Sequence, residues 1–201
     1  MLKTGEQHLD SLRDGRRVYI GDELVEDVTT HPAFRNAAQS FAMIYDRKRD
    51  PENIDVMAYE DEDGELSTSW YLKPKSKEDL RRRRETHRRV AEWTCGLIGR
   101  SPDHVASFVT GLLWQPDLFE ENLKGSAAAL QGYYDYMRKN DTFACYTVLP
   151  PQGARQAELY QREGLTVPTL RVTAEDKEGV TLNGMKMLGT SAVFSNETWV
   201  G

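Results

Sequence analysis

The chain has 201 residues, 39% of them hydrophobic, and a formal net charge of -6. That length and apolar content allow one domain, or two small ones, with an ordinary core. The acidic balance argues against a nucleic-acid binder, and the two cysteines, Cys95 and Cys145, indicate neither a disulfide framework nor a zinc ligand set; with no apolar leader or run of membrane-spanning length, the chain reads as soluble and cytoplasmic, with no membrane partner.

Residues 6–14 predict a short polar helix or turn, after which Arg17–Ile20 and Glu23–Val25 flank Gly21-Asp22, a two-residue hairpin turn. Thr30-His31-Pro32 opens a helix whose apolar positions Phe34, Ala37, Ala38, Phe41, Ala42 and Tyr45 keep helical spacing. A charged loop, 46–53, follows. Ile54–Tyr59 and Leu66–Leu72 predict extended segments joined by Asp61-Glu62-Asp63-Gly64, an acidic tip read as solvated surface because it lacks the ligand spacing of a calcium loop.

The longest predicted helix is capped by Ser76 and carries Leu80, Val90, Ala91, Trp93, Leu97 and Ile98 on its buried face, with Arg81–Arg84 largely outside. Gly99 suits its C-terminal end, and Ser101-Pro102 suits the cap and first residue of the next helix. Arg100 is thereby left in a corner between two helices. A guanidinium beside a helix N-terminus suits an oxyanion or a polarised oxygen, and it equally suits the last carbonyls of the preceding helix. Glu78, Asp79, Glu85 and Glu92 lie at helix-neighbour spacings among the arginines and predict a solvated, ion-paired face. His8, His31 and His87 show no metal pairing and are assigned no chemistry.

Pro102–Leu113 predicts a helix ended by Trp114-Gln115-Pro116, and Phe119–Lys139 predicts another, with Leu123, Ala127, Leu130, Tyr134 and Met137 at roughly helical spacing. From Asn140-Asp141 onward the pattern turns extended: Thr142–Leu149, then Leu170–Thr173, Gly179–Leu182 and Met185–Thr190, with Asn183-Gly184 as a hairpin signal. The expected fold class is α+β, with a mostly helical domain at 1–140 and a β domain at 141–201. No glycine-rich nucleotide fingerprint follows a strand into a helix, which argues against a Rossmann site.

Four separated stretches, His31-Pro-Ala-Phe, Lys75-Ser-Lys-Glu-Asp-Leu-Arg-Arg-Arg-Arg, Gly99-Arg-Ser-Pro-Asp and Pro150-Pro-Gln, resemble in composition and order the 4-hydroxyphenylacetate 3-monooxygenase family. These are oxygenase components of two-component phenol hydroxylases with an acyl-CoA-dehydrogenase-like fold. The resemblance implies an N-terminal helical domain followed by a small β-barrel-like middle domain that binds flavin. It also implies a C-terminal helical domain that this chain, stopping at Trp199-Val-Gly201, lacks, so a fragment or a separate C-terminal half chain is expected. The implied cofactor is FAD, delivered as FADH2 by a flavin reductase. The implied reaction hydroxylates a phenol ortho to its hydroxyl, with molecular oxygen, through a flavin C4a-hydroperoxide. A homo-oligomer, dimer or tetramer, is implied as well.

The family's substrate-oxygen ligands are an Arg and a Tyr in Gly-Arg-Ser-Pro-Asp-Tyr and a His at a strand end. Arg100 matches, whereas His104 stands in place of the Tyr and Tyr146 in place of the His. Arg100, His104 and Tyr146 are therefore the expected catalytic residues, with His104 as hydrogen-bonding partner or base. Imidazole titrates near neutrality, about three units below a tyrosine. Family correspondence also points to Tyr146, Thr147, Val148, Gln152, Arg155 and Thr190 as flavin contacts, Arg155 toward the pyrophosphate. Ala154 departs from the family's Asp within Pro151-Gln-Gly-Ala-Arg155. The departures leave the substrate open to another phenol or a carrier-bound aromatic. The alternatives are a same-fold flavin dehydrogenase and a non-catalytic assembly half of a split flavoprotein.

Overall fold

The structure, a computed structural model, describes residues 2–201. Thr4 opens α1 (Gly5–Ser11) with a reciprocal capping box to Gln7. The Gly21-Asp22 turn joins β1 (Val18–Ile20) to β2 (Glu23–Val25) with Ile20 opposite Glu23, as the dipeptide predicts. Helix α2 (Arg35–Arg47) buries Ala38, Phe41, Ala42, Ile44 and Tyr45. Its 3.6-residue spacing emerges on the expected face except at Ala37, which is exposed, and the helix opens at Arg35 rather than at Pro32.

Then the chain departs from its extended pattern. Ile54–Met57 is a helical turn, α3, and only Ala58–Glu60 is strand, β3, pairing antiparallel with β4 (Leu66–Thr68). Residues 69–71 tighten into a 3-10 turn that buries Trp70 and Tyr71. The acidic tip is not plain surface. The Asp61 carboxylate is buried, accepts from Ser67 Oγ at 2.6 Å and from the Glu65 amide at 3.0 Å, and pairs with the buried Arg138. Binary patterning cannot foresee a cation arriving from a helix 77 residues away in sequence.

Helix α4 (Lys77–Trp93) is capped by Ser76 as expected but ends earlier, and its inner face differs. Arg83, Thr86 and Val90 point inward, while Leu80 is 57% and Leu97 87% exposed. The Arg83 guanidinium is tolerated there because it donates to Leu72 O at 2.6 Å and Ser107 Oγ at 2.8 Å. The outer arginines are ion-paired, Arg81 with Glu78 and Arg88 with Glu85 and Glu92. The stop comes at Gly96, at φ +71, whose amide donates to Ala91 O at 2.8 Å; Gly99 is not left-handed.

Helix α5 (Asp103–Leu112) follows; the expected single helix over 119–139 is split into α6 (Pro116–Asn122) and α7 (Ser126–Asn140) by Gly125 at φ +88. Three aromatic contacts anchor the core beneath α2: His8 stacks on Tyr45 at 4.3 Å, and Phe41 lies between Phe143 and Phe194, 5.2 Å from each. Burying a side chain of this size contributes about 1.5–3 kcal/mol.

Two compact units result, residues 1–145 with 191–197, and residues 146–190 with 198–201. The second begins inside β5 (Ala144–Thr147) and contains α8 (Ala157–Arg162) and the antiparallel hairpin of β6 (Arg171–Asp176) and β7 (Gly179–Asn183). Residues 185–190 form isolated bridges rather than a strand. The hairpin turns at Lys177-Glu178, where Asp176 Oδ1 accepts the Glu178 and Gly179 amides at 2.8 and 3.2 Å, and not at Asn183-Gly184. Gly184 instead lets the backbone approach Thr169 O, which a Cβ would strike. Counting β5 with β8 (Glu197–Val200), the described strands pair only two by two. The α+β class stands, and no closed barrel forms among the described residues. Too few strands run side by side for the curl that closure needs.

Candidate functional site

The α4–α5 corner lies in the first unit. Past Gly96 the chain runs irregularly through Arg100 to Ser101 and Pro102, both buried, and enters α5 at Asp103. Ser101 does not cap α5 through its side chain; its hydroxyl donates to Asp103 Oδ1, and its carbonyl accepts the His104 amide at 3.0 Å. Arg100 and His104 are both half-buried. Burial, then the Arg100 charge, push the His104 imidazole below its ordinary value against the opposing pull of Asp103. The ring meets Phe108 edge-on at 4.7 Å. The corner therefore presents a cation and an imidazole held toward neutrality, one helical turn from an aromatic ring. Such a set can bind and polarise an oxygen and exchange its proton.

What fixes this corner is a pair that sequence reading passed over. His87 Nδ1, from α4, lies 2.6 Å from Asp103 Oδ2. Burial pushes the Asp103 carboxyl up, but the His87 and Ser101 hydrogen bonds outweigh it and hold the group below the ordinary carboxylate value. The backbone of Asp103 is tied as well: its carbonyl accepts from Ser107 Oγ at 2.8 Å, and Ser107 accepts from the buried Arg83. His87 and Asp103 lie 16 residues apart on different helices, and no motif spacing flags them.

Tyr146, Thr147, Val148, Gln152, Arg155 and Thr190 all fall in the second unit. Thr147 is buried, with its carbonyl accepting the Gly201 amide at 3.0 Å, and Tyr146 packs its ring near Gly201. Val148 O accepts from Lys186 Nζ at 3.2 Å, and Leu149 O accepts the Met187 amide at 2.7 Å. Val148, Leu149, Met185, Met187 and Leu188 leave much of their apolar surface exposed, and Gln152 and Arg155 are exposed on the 3-10 turn at 152–156. Thr190 lies between Leu188 at φ +58 and Ser191 at φ +69, two non-glycine residues in the left-handed region. Such conformations concentrate where a backbone is shaped for a site.

A separate cavity of about 250 Å³ in the first unit is lined by Tyr59, Asp61, Lys73, Tyr134 and Arg138, among others, and includes none of the expected site residues. No group of three or more His, Cys, Asp or Glu able to hold a metal occurs among the described residues, and no described helix is long and apolar enough to cross a membrane.

Residues 4–201 match the family model described as 4-hydroxyphenylacetate 3-hydroxylase N terminal. The chain is 33% identical to the 4-hydroxyphenylacetate 3-monooxygenase oxygenase component of Geobacillus sp. over 200 residues, 98% of this chain and 40% of that protein. It is also 33% identical to the oxygenase component of 4-nitrophenol 4-monooxygenase/4-nitrocatechol 2-monooxygenase of Rhodococcus opacus, covering 100% of this chain and 39% of the relative. The crystal structure of the oxygenase component (HpaB) of 4-hydroxyphenylacetate 3-monooxygenase complexed with FAD and 4-hydroxyphenylacetate superposes with a TM-score of 0.80 at 31% identity, over 92% of this chain and 38% of that one. The chain thus spans about two-fifths of the length of the relatives it matches. With the model matching nearly end to end, the chain belongs to the 4-hydroxyphenylacetate 3-hydroxylase family, whose N-terminal region it carries.

Proposed function

We propose that this chain supplies the N-terminal and middle portions of the oxygenase component of a two-component monooxygenase that hydroxylates a phenolic substrate ortho to its hydroxyl. The observation that carries the reading is the α4–α5 corner. Arg100 and His104 are close enough for the guanidinium to depress the imidazole, and both stand on the first-turn side of a helix clamped to its neighbour. Arg100 binds the phenol oxygen and stabilises its anionic form. His104, neutral at physiological pH, accepts or shares the phenolic proton. Tyr146, which lies in the second unit and stands where the family has a His, carries a hydroxyl able to donate a hydrogen bond.

The second unit fits a flavin. A flavin ring needs apolar surface and hydrogen-bonding groups along its polar edge, and its pyrophosphate needs a cation. Val148, Leu149 and Met187 offer the first, Thr147, Gln152 and Thr190 the second, and exposed Arg155 the third. FAD, supplied reduced by a flavin reductase, contributes the oxygen chemistry that no side chain provides. The chain's own residues bind and orient the phenol, hold its proton and limit water access.

The substitutions at His104 and Tyr146 favour one competing reading, a flavin-binding assembly half without hydroxylase activity. Both readings are tested by supplying the protein, with any C-terminal partner polypeptide present, with FADH2, oxygen and a panel of phenols. The hydroxylase reading expects a catechol. Full flavin occupancy with hydrogen peroxide as the sole product would falsify it in favour of the assembly half.

A further inference from the structure

We propose that His87 is a positioning residue of the phenol site: by holding the Asp103 carboxylate, it fixes the first turn of α5 and moderates the negative charge beside Arg100 and His104. The inference rests on reading the α4–α5 corner as the phenol site.

Asp103 is an acidic side chain whose charge is felt at His104, where it opposes burial and Arg100. Both of its oxygens are engaged, Oδ1 by the Ser101 hydroxyl and Oδ2 by His87 Nδ1 at 2.6 Å. A carboxylate in close contact with an imidazole nitrogen on one oxygen and accepting an O–H bond on the other projects less negative potential and has a set orientation. Without the His87 contact, the carboxylate would lie beside an oxyanion site with one oxygen unmatched, repelling a phenolate and drawing on neighbouring cations. The clamp also has geometric consequences. Asp103 O is tied through Ser107 to Arg83, so two residues of the inner and flanking faces of α4, Arg83 and His87, hold the turn that carries His104. The two are four apart and therefore project from neighbouring positions of that helix.

Arg100 and Asp103 bear on His104, and His87 and Arg83 from α4, together with the Ser101 hydroxyl, bear on Asp103. His87 keeps part of its ring in solvent, which leaves room for a substituted side chain.

The test uses histidine-ring NMR on the ligand-free chain, with His104 assigned, and equilibrium binding of 4-nitrophenol read through its phenolate absorbance. Wild type is compared with His87→Leu and His87→Asn. In His87→Leu the His104 titration midpoint is expected to rise, because Asp103 acts on it less compensated, and 4-nitrophenol binding is expected to weaken about tenfold. His87→Asn, whose amide N–H can stand where Nδ1 stood, restores both. If His87→Leu does not fold, Asp103→Asn provides the second reading, with an expected fall in the His104 midpoint. A His104 midpoint unmoved in these variants overturns the proposal whether or not a phenol binds. So does unchanged 4-nitrophenol affinity and spectrum in His87→Leu. A shifted midpoint in a protein whose wild type binds no 4-nitrophenol supports the His87 linkage and overturns the phenol-site reading instead.

Discussion

Lys48 and Asp141, 93 residues apart in sequence, form an ion pair with neither side chain exposed to solvent. The ammonium lies 4.0 Å from the Tyr45 ring centroid and 4.8 Å from that of Trp70, and Asp141 also accepts from Thr68 Oγ1 at 2.8 Å and from the Lys3 amide at 2.9 Å. One carboxylate thus ties the N-terminal segment, α2, β4 and the end of α7. Burial pushes the lysine down to about 8, against the pull of Asp141. Lys48→Met should cost about 3–5 kcal/mol, because it strands Asp141 in the interior. Adding Asp141→Asn should recover part of the loss, since asparagine tolerates the left-handed backbone at φ +48. Urea unfolding midpoints of the single and double variants measure both effects.

Acid should destabilise the protein through His8. Burial, then the charges of Lys3, Lys48 and Arg16, push its imidazole down to about 3 from 6.5. Below pH 6.5 the unfolded chain takes up a proton that the folded chain refuses, so this stabilisation is complete above pH 6.5 and is lost as pH falls toward 3. The slope from this one group approaches about 1.4 kcal/mol per pH unit. His8→Phe, which retains a ring against Tyr45, should flatten the dependence of unfolding free energy on pH in that window. An unchanged slope would place the acid sensitivity elsewhere.

Gly184→Ala should perturb the second unit. The residue sits at φ +122, and a Cβ would meet the Thr169 carbonyl oxygen and carbon, which are backbone and cannot turn aside. The expected cost is about 1–3 kcal/mol. It should appear as faster amide exchange around the Thr169–Met185 and Leu149–Met187 bridges. Exchange unchanged from wild type there would mean the approach is not required.

Arg100→Ala should abolish phenol binding while leaving FAD affinity within about twofold. Arg100→Lys should restore little, because a point-charge ammonium does not reproduce a planar fork of donors. Paired titrations with a phenol and with FAD separate the two effects. Equal phenol affinity in Arg100→Ala removes this residue from the site.

The sequence alone determined the features that are local in the chain. The cap at Ser76, the Gly21-Asp22 hairpin and most of the buried face of α2 depend on interactions within a few residues, and each was readable from propensity and spacing. The family pattern also named Arg100 and His104, and the structure brings these two within electrostatic reach. Tertiary structure decided the rest. Arg83 turned inward because Leu72 and Ser107 offered acceptors, Asp61 was buried by Arg138, and Gly184 served close backbone contact rather than a hairpin. His87 became a partner of Asp103 only when two helices met. A polar side chain's position depends on whether a partner from a distant segment meets its desolvation cost, and that partner exists only once the chain has folded.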